Sequence, residues 1–130
     1  EMAIVTRSGH PLCQRKRIGF HDLAGAQWVM PHRHTSTRAL LESAAAARGA
    51  PEPDVALETT DLTIIREVLL ESDMITAISP RQLSREISAG MLVRLPISLP
   101  ETLRQIGMLR RENDYPSPGA NLLAEEMRAV

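Results

Sequence analysis

Apolar positions along this chain follow two alternating rhythms. Short continuous runs occur at residues 2–6 ("MAIVT"), 27–31 ("QWVMP"), 55–59 ("VALET"), 74–79 ("MITAIS") and 91–97 ("MLVRLPI"). Runs of this length, bounded by Gly, Pro and Ser, predict buried strands. Between them lie stretches with helical spacing. "TRALLESAAAARG" (Thr37–Gly49) is rich in alanine, covers one face with Leu40, Leu41 and Ala44 to Ala47, and stops at a glycine. "DLTIIREVLLES" places Leu62, Ile65, Val68 and Leu69 on one side. "RQLSREISAG" (Arg81–Gly90) predicts a short helix behind Pro80, which a first turn tolerates. "NLLAEEMRAV" predicts a terminal helix, preceded by a loop in "NDYPSPGA". "LCQRKRIGFHDLAG", more polar and weakly patterned, suggests a short helix ahead of Gly25.

From Gln27 to Ile97 the order is therefore β-α-β-α-β-α-β, which predicts an α/β fold with a mostly parallel, doubly wound sheet. Met2–Thr6 and a further strand expected within Arg104–Arg110 fit that unit poorly and are assigned to a second sheet. The chain has no internal repeat and no low-complexity segment.

Composition narrows the function classes. With 130 residues, 43% apolar and 24% charged, a packed core is expected. The net charge of −1 argues against a chain that grips nucleic acid alone, since phosphate binding draws on a basic excess. Phe20, Trp28 and Tyr115 are the whole aromatic inventory, so the core is aliphatic and offers no stacking platform for single strands. Nothing in the sequence approaches a membrane span or a secretion signal. The single cysteine, Cys13, excludes an internal disulfide and suits a reducing, cytoplasmic setting.

The candidate chemistry lies in turns. In an open α/β sheet, ligands bind beyond the carboxyl ends of strands, where helix starts present unpaired N–H groups. Three such turns are rich in hydroxyls: "HRHTST" after the first strand of the unit, "ETTD" after the second and "ISPR" after the third. All three should share one edge of the sheet. Each also suits helix capping, which Ser79 with Pro80, and Thr60 or Asp61, would satisfy. "HTST" has more hydroxyls than one cap uses, and no Glu or Gln follows to close a capping box. With Arg33 and Arg38 beside it, that helix start is expected to be electropositive and to suit an anion. The candidate ligand contacts are His34, Thr35, Ser36, Thr59, Thr60 and Ser79.

Other chemistries find little support. His32 and His34, with His10, His21 and Cys13, lack the spacing of a zinc site, so no metal or cofactor is expected. "RKR" (Arg15–Arg17) reads as a solvated face. No G-x-S-x-G turn, P-loop or G-x-G-x-x-G occurs, and a Ser or Thr nucleophile with His34 as base would lack a third group to orient it.

"RSGHPL" (Arg7–Leu12), then "DLAGAQWVMP", then the turn and helix of "HTSTRALLESAAAARG", resemble in order and spacing the effector-sensing domain of LysR-type transcriptional regulators. "VLLESDMITAISPRQLSREISAGMLVRLPI" and the closing "IGMLRRENDYPSPGANLLAEEMRAV" extend the resemblance over essentially the whole chain. It implies one subdomain of a type II periplasmic-binding-protein-like fold. Residues 1–24 would be a crossover strand and hinge from a first subdomain. Residues 25–97 would be the second effector-binding subdomain, and 98–130 a return strand, loop and C-terminal helix. The implied function is not enzymatic. A small anionic effector would bind between the subdomains and control DNA binding by a helix-turn-helix domain absent from this chain. Homodimers or tetramers are the implied assembly. Thr35, Ser36, Thr59, Thr60 and Ser79 match the family's effector contacts, while His32, Arg33 and His34 depart from its usual small or Pro/Gly turn and would make binding tighter as histidine protonates between about pH 6.5 and 5.5. The competing readings are a transport-type solute-binding protein and a small α/β enzyme.

Overall fold

The computed structural model describes residues 1–105, 107–109, 111 and 115–128. Among the described residues five strands form: β1 (Ala3–Arg7), β2 (Gln27–Met30), β3 (Asp54–Glu58), β4 (Thr76–Ile78) and β5 (Leu92–Arg94). Helices α1 (Ser36–Ala47), α2 (Leu62–Glu71) and α3 (Ser84–Ser88) follow β2, β3 and β4, and α4 (Pro118–Arg128) is the last element in chain order. Strand β2 pairs parallel with β3, and β1 lies antiparallel between β4 and β5. The two ribbons join where the Val29 N–H donates to the Ile75 carbonyl (3.0 Å) and the Ile75 N–H to the Gln27 carbonyl (2.9 Å), around a parallel Trp28–Ile75 bridge. The strand order across the molecule is thus β3-β2-β4-β1-β5, with β1 alone running against the rest.

Period-two alternation sorts side chains to the two faces of this sheet. Ile4, Trp28, Met30, Ile75 and Ala77 pack with Leu41, Ala44 and Ala45 of α1 and with Phe20 and Leu99. Val5, Val29 and Ile78 pack with Ile65 and Leu69 of α2, Leu83, and Leu92. Helices therefore cover both faces, as the doubly wound pattern predicts. Helix α1 ends in a Schellman motif: Ala50 N–H reaches Ala45, Gly49 N–H reaches Ala46, and Gly49 supplies the left-handed φ of 62°.

The structure corrects several sequence expectations. Ala3–Arg7 is the central strand of the β4-β1-β5 ribbon, not part of a second sheet, because Ile4 and Val5 are fully buried on opposite faces and need cover on both. The described residues within Arg104–Arg110 carry no strand; Ile106 and Arg110 lie outside the described set. The weakly patterned stretch before Gly25 forms two 3-10 turns, Pro11–Gln14 and Phe20–Leu23. The helix expected at Arg81–Gly90 divides into a 3-10 turn (Pro80–Leu83) and the five-residue α3. Helix α4 starts before the expected Asn121, at Pro118, and only its Ala124 is buried. Leu122, Leu123 and Met127 of α4 are each more than 60% exposed.

Candidate functional site

Because β2, β3 and β4 run the same way and are neighbours, the turns that follow them open on one rim of the sheet. Strand β1 enters at that rim, where Ala3 faces Ile78, and β5 leaves there, where Arg94 faces Val5. The turns after β2 and β3 are tied together by the Thr59 N–H, which donates to the Met30 carbonyl at 2.9 Å.

Each predicted site residue can be placed. Thr35 is the N-cap of α1: its hydroxyl accepts the Arg38 N–H (3.3 Å) and donates to the His32 carbonyl (2.9 Å). The Thr59 hydroxyl accepts the Asp61 N–H at 3.1 Å. Asp61, not Thr60, caps α2, its Oδ1 accepting from Thr63 (2.8 Å) and Ile64 (3.3 Å). The hydroxyls of Ser36, Thr60 and Ser79 make no hydrogen bond within the described residues, and neither does the exposed His34 ring. Ser79 opens onto a groove of about 530 Å³ shared with Glu1, Met2, Thr102, Arg104 and Gln105. A groove of about 610 Å³ lies apart from these hydroxyls, between α1 and β3, lined by Arg38, Glu42, Ala46, Glu52, Asp54 and Val55. It is the roomier of the two, and Ser36, Thr60 and Ser79 do not line it.

The expected electropositive start of α1 is not what forms. Arg38 is buried, its Nε bonded to Glu42 (2.7 Å) and its Nη1 to Glu58 (2.5 Å) and the Pro31 carbonyl (3.3 Å). The exposed His32 and Arg33 stand 3.6 and 3.7 Å from the same Glu58 carboxylate. Burial works against the Arg38 charge, but its bonds to Glu42 and Glu58 hold its pKa above the ordinary guanidinium range. The Arg38 hydrogen bond, aided by the charges of Arg38 and Arg33 and by His32, holds the Glu58 carboxyl below the ordinary carboxylate range.

The segments at the two ends of the unit are knit to each other beside Ser79. The Glu1 carboxylate accepts from the Leu99 N–H (2.7 Å) and the Ser98 hydroxyl (3.0 Å), which lower its pKa. The buried Thr102 hydroxyl accepts the Met2 N–H (2.8 Å) and donates to the Leu99 carbonyl (2.6 Å). Arg48, at the end of α1, pairs with Glu101 and lies 5.3 Å over the Phe20 ring. Sequence reasoning missed Glu58 and Thr102; the first is separated from its partners by some twenty residues and the second by a hundred.

Among the described residues, no three His, Cys, Asp or Glu side chains gather as a metal site. His10 is occupied structurally: Nδ1 accepts the Leu12 N–H, so Nε2 carries the proton and donates to the Asp73 carbonyl at 3.0 Å. His21 Nε2 lies 3.0 Å from the Arg48 carbonyl. No described helix is long and apolar enough to cross a membrane.

A sheet of this order, crossed by one antiparallel strand and edged by polar turns, defines one lobe of a periplasmic-binding-protein-like ligand-binding fold. The family model of the LysR substrate binding domain matches residues 1–130, and the chain belongs to that family. It is 39% identical over 130 residues to the HTH-type transcriptional regulator GalR of Pseudomonas putida, covering all of this chain and 32% of that protein. It is 28% identical to PcaQ of Agrobacterium fabrum, over 98% of this chain and 41% of that one. The chain thus spans about 32% and 41% of the length of these relatives. Two effector-domain structures share the fold. The Synechocystis CcmR regulatory domain in complex with 2-PG aligns with a TM-score of 0.75, at 17% identity, over 99% of this chain and 62% of that one. The effector binding domain of QuiR in complex with shikimate aligns with a TM-score of 0.66, at 18% identity, over 96% of this chain and 58% of that one.

Proposed function

We propose that this chain is the second effector-binding subdomain, with its crossing segments, of a bacterial cytoplasmic transcriptional regulator. Residues 25–97 form the subdomain, 1–24 the incoming crossover and hinge, and 98–130 the return segment and C-terminal helix. A small organic anion binds between this rim and a first subdomain. The ligand biases two arrangements of the subdomains by its unequal affinity for them, and a helix-turn-helix domain elsewhere in a longer polypeptide reads out the change. The regulator acts as a homodimer or tetramer, and the chain carries no enzymatic activity.

The observation that carries this reading is the convergence of three hydroxyl turns on one rim, with Ser36, Thr60 and Ser79 unpaired. Thr35 and Thr59 stand beside them as turn-forming residues; the Thr59 hydroxyl accepts one bond and can still donate, while the Thr35 hydroxyl already accepts one and donates one, and His34 lines the same turn as Thr35. The small-molecule complexes of CcmR and QuiR support the ligand class, and the regulator names of the relatives support the readout. The apolar side chains that α4 leaves exposed support packing against a further subdomain. No Ser or Thr hydroxyl among the described residues bonds a histidine ring, which favours binding over nucleophilic catalysis.

A thermal-shift screen of small organic anions on the full-length protein tests the proposal. Ser36→Ala and Thr60→Val are the informative variants, since neither removes an internal hydrogen bond. Each should weaken the hit about tenfold, the worth of one hydrogen bond to a charged or strongly polar group. Unchanged affinity in both would refute the site.

A further inference from the structure

The positive charge beside α1 already has its anion. Register places Glu58 opposite Met30, next to the turn that carries His32 and Arg33. From there its carboxylate meets the buried Arg38 at 2.5 Å, His32 at 3.6 Å and Arg33 at 3.7 Å. Glu42 takes the other side of the Arg38 guanidinium at 2.7 Å. At the adjoining helix start, Asp61 accepts the Thr63 and Ile64 N–H groups. Two guanidinium groups on this half of the rim thus face two carboxylates, Glu42 and Glu58. A second anion brought here from a ligand would be repelled by Glu58 at short range. On the other half of the rim Arg81, Arg94 and Arg104 have no carboxylate partner among the described residues, and the Glu1 carboxylate, which lines both grooves there, is taken up by the Leu99 N–H and the Ser98 hydroxyl. Arg104 lines the Ser79 groove, and Arg94 lines a neighbouring one of about 460 Å³ together with Pro80 and Ala3.

We propose that Glu58 is a specificity-determining residue, an intramolecular anion that fills the anion seat at α1 and reserves this half of the rim for uncharged hydrogen-bonding groups of the effector. The hydroxyls of Ser36 and Thr60 meet the effector's own hydroxyls or amides, while its negative charge is met on the β4–β5 side by Arg81, Arg94 or Arg104. The ligand class is therefore a small hydroxylated monoanion, not a dianion anchored at both helix starts. This assignment rests on the effector-binding reading above.

Sulfate serves as the probe, titrated into the full-length protein at constant ionic strength and read by thermal shift and calorimetry. In the wild type, Arg33→Gln should leave the sulfate response unchanged, because Glu58 already occupies Arg33. Glu58→Gln should create saturable sulfate binding at least about tenfold tighter than the wild type's, as removal of one close like charge predicts. Adding Arg33→Gln to that variant should abolish the gain. Should Glu58→Gln fail to fold with Arg38 half-paired, Arg38→Met/Glu58→Gln removes the buried charge with its counter-ion and is read the same way. A Glu58→Gln response equal to the wild type's, or a gain that survives Arg33→Gln, overturns the seat. A sulfate gain with Ser36→Ala and Thr60→Val both silent toward the organic anion sinks the effector site and spares the seat; the opposite pair of results does the reverse.

Discussion

Thr102→Val isolates one hydroxyl at the joint between the first residues of the chain and the segment that follows β5. The side chain is 3% exposed, and valine keeps its shape while removing a group that accepts from Met2 N at 2.8 Å and donates to Leu99 O at 2.6 Å. The Leu99 carbonyl retains the Thr102 N–H at 2.9 Å, so its loss is minor. The Met2 N–H retains nothing and stays buried. Leaving such a donor unsatisfied costs roughly 1–3 kcal/mol, and the apolar methyl of valine offsets a fraction of that. A net loss of about 1–2 kcal/mol follows, equivalent to about 3–7 °C in Tm for a unit of this size. Urea unfolding followed by the emission of Trp28, the one tryptophan in these residues, measures it. Thr102→Ser keeps the hydroxyl and loses one buried methyl, a cost of about 0.5–1 kcal/mol and less than that of the valine variant. Hydrogen exchange should show the Met2 amide losing protection in the valine variant and keeping it in the serine variant. Equal losses for both variants would mean that the methyl packs and the hydroxyl does not matter; no loss for valine would mean that the two segments are joined by something else.

The remaining predictions concern the rim. Glu58, Glu1 and Glu101 all have carboxyl groups held below the ordinary range, by Arg38, by Leu99 and Ser98, and by Arg48 in turn. A folded-state pKa below the unfolded one contributes stability above the unfolded value, near about 4.3, and that contribution disappears as pH falls through the folded pKa. Tm should therefore decline from about pH 5 downward, and Glu58→Gln should flatten part of the decline; superimposable slopes would exclude Glu58 as a source. Asp61→Ala should cost about 1 kcal/mol by removing the α2 cap, seen as a lower urea midpoint with an unchanged slope, whereas Asp61→Asn should retain most of it.

Much of the fold was legible because one signal carries it. A strand buried on both faces must be largely apolar, and "QWVMP" and "MITAIS" are, the buried Thr76 hydroxyl being taken up by the Val29 carbonyl; a helix on a sheet must show a stripe, and Leu41, Ala44 and Ala45 provide one. What escaped was pairing at a distance. Nothing in "MAIVT" tells whether it lies at the edge of a second sheet or between β4 and β5, since apolar content is the same in both places and only the partners differ. The short helix at Arg81 lost its first turn to a 3-10 geometry that Ser-Pro spells as readily as an α start.

The rim shows the same division more sharply. Capping and ligand binding draw on the same residue types, so Ser, Thr and Asp in a turn cannot be sorted by composition. They sort only once each hydroxyl's partner is known: Thr35 and Thr59 hold their own turns, while Ser36, Thr60 and Ser79 hold nothing. Charge was misjudged for a related reason. Reading "HRHTSTR" locally counts His32, Arg33 and Arg38 as a positive patch, because no acid stands among them. The neutralising carboxylate arrives laterally, from a parallel neighbour whose register sets Glu58 against Met30. A one-residue slip of β3 would turn Glu58 to the other face and leave Arg38 buried without this partner, an arrangement far costlier than either partner exposed. The register that assembles the hydroxyl rim is therefore the same one that cancels its charge, so a ligand that needs both must find its cation elsewhere on the edge.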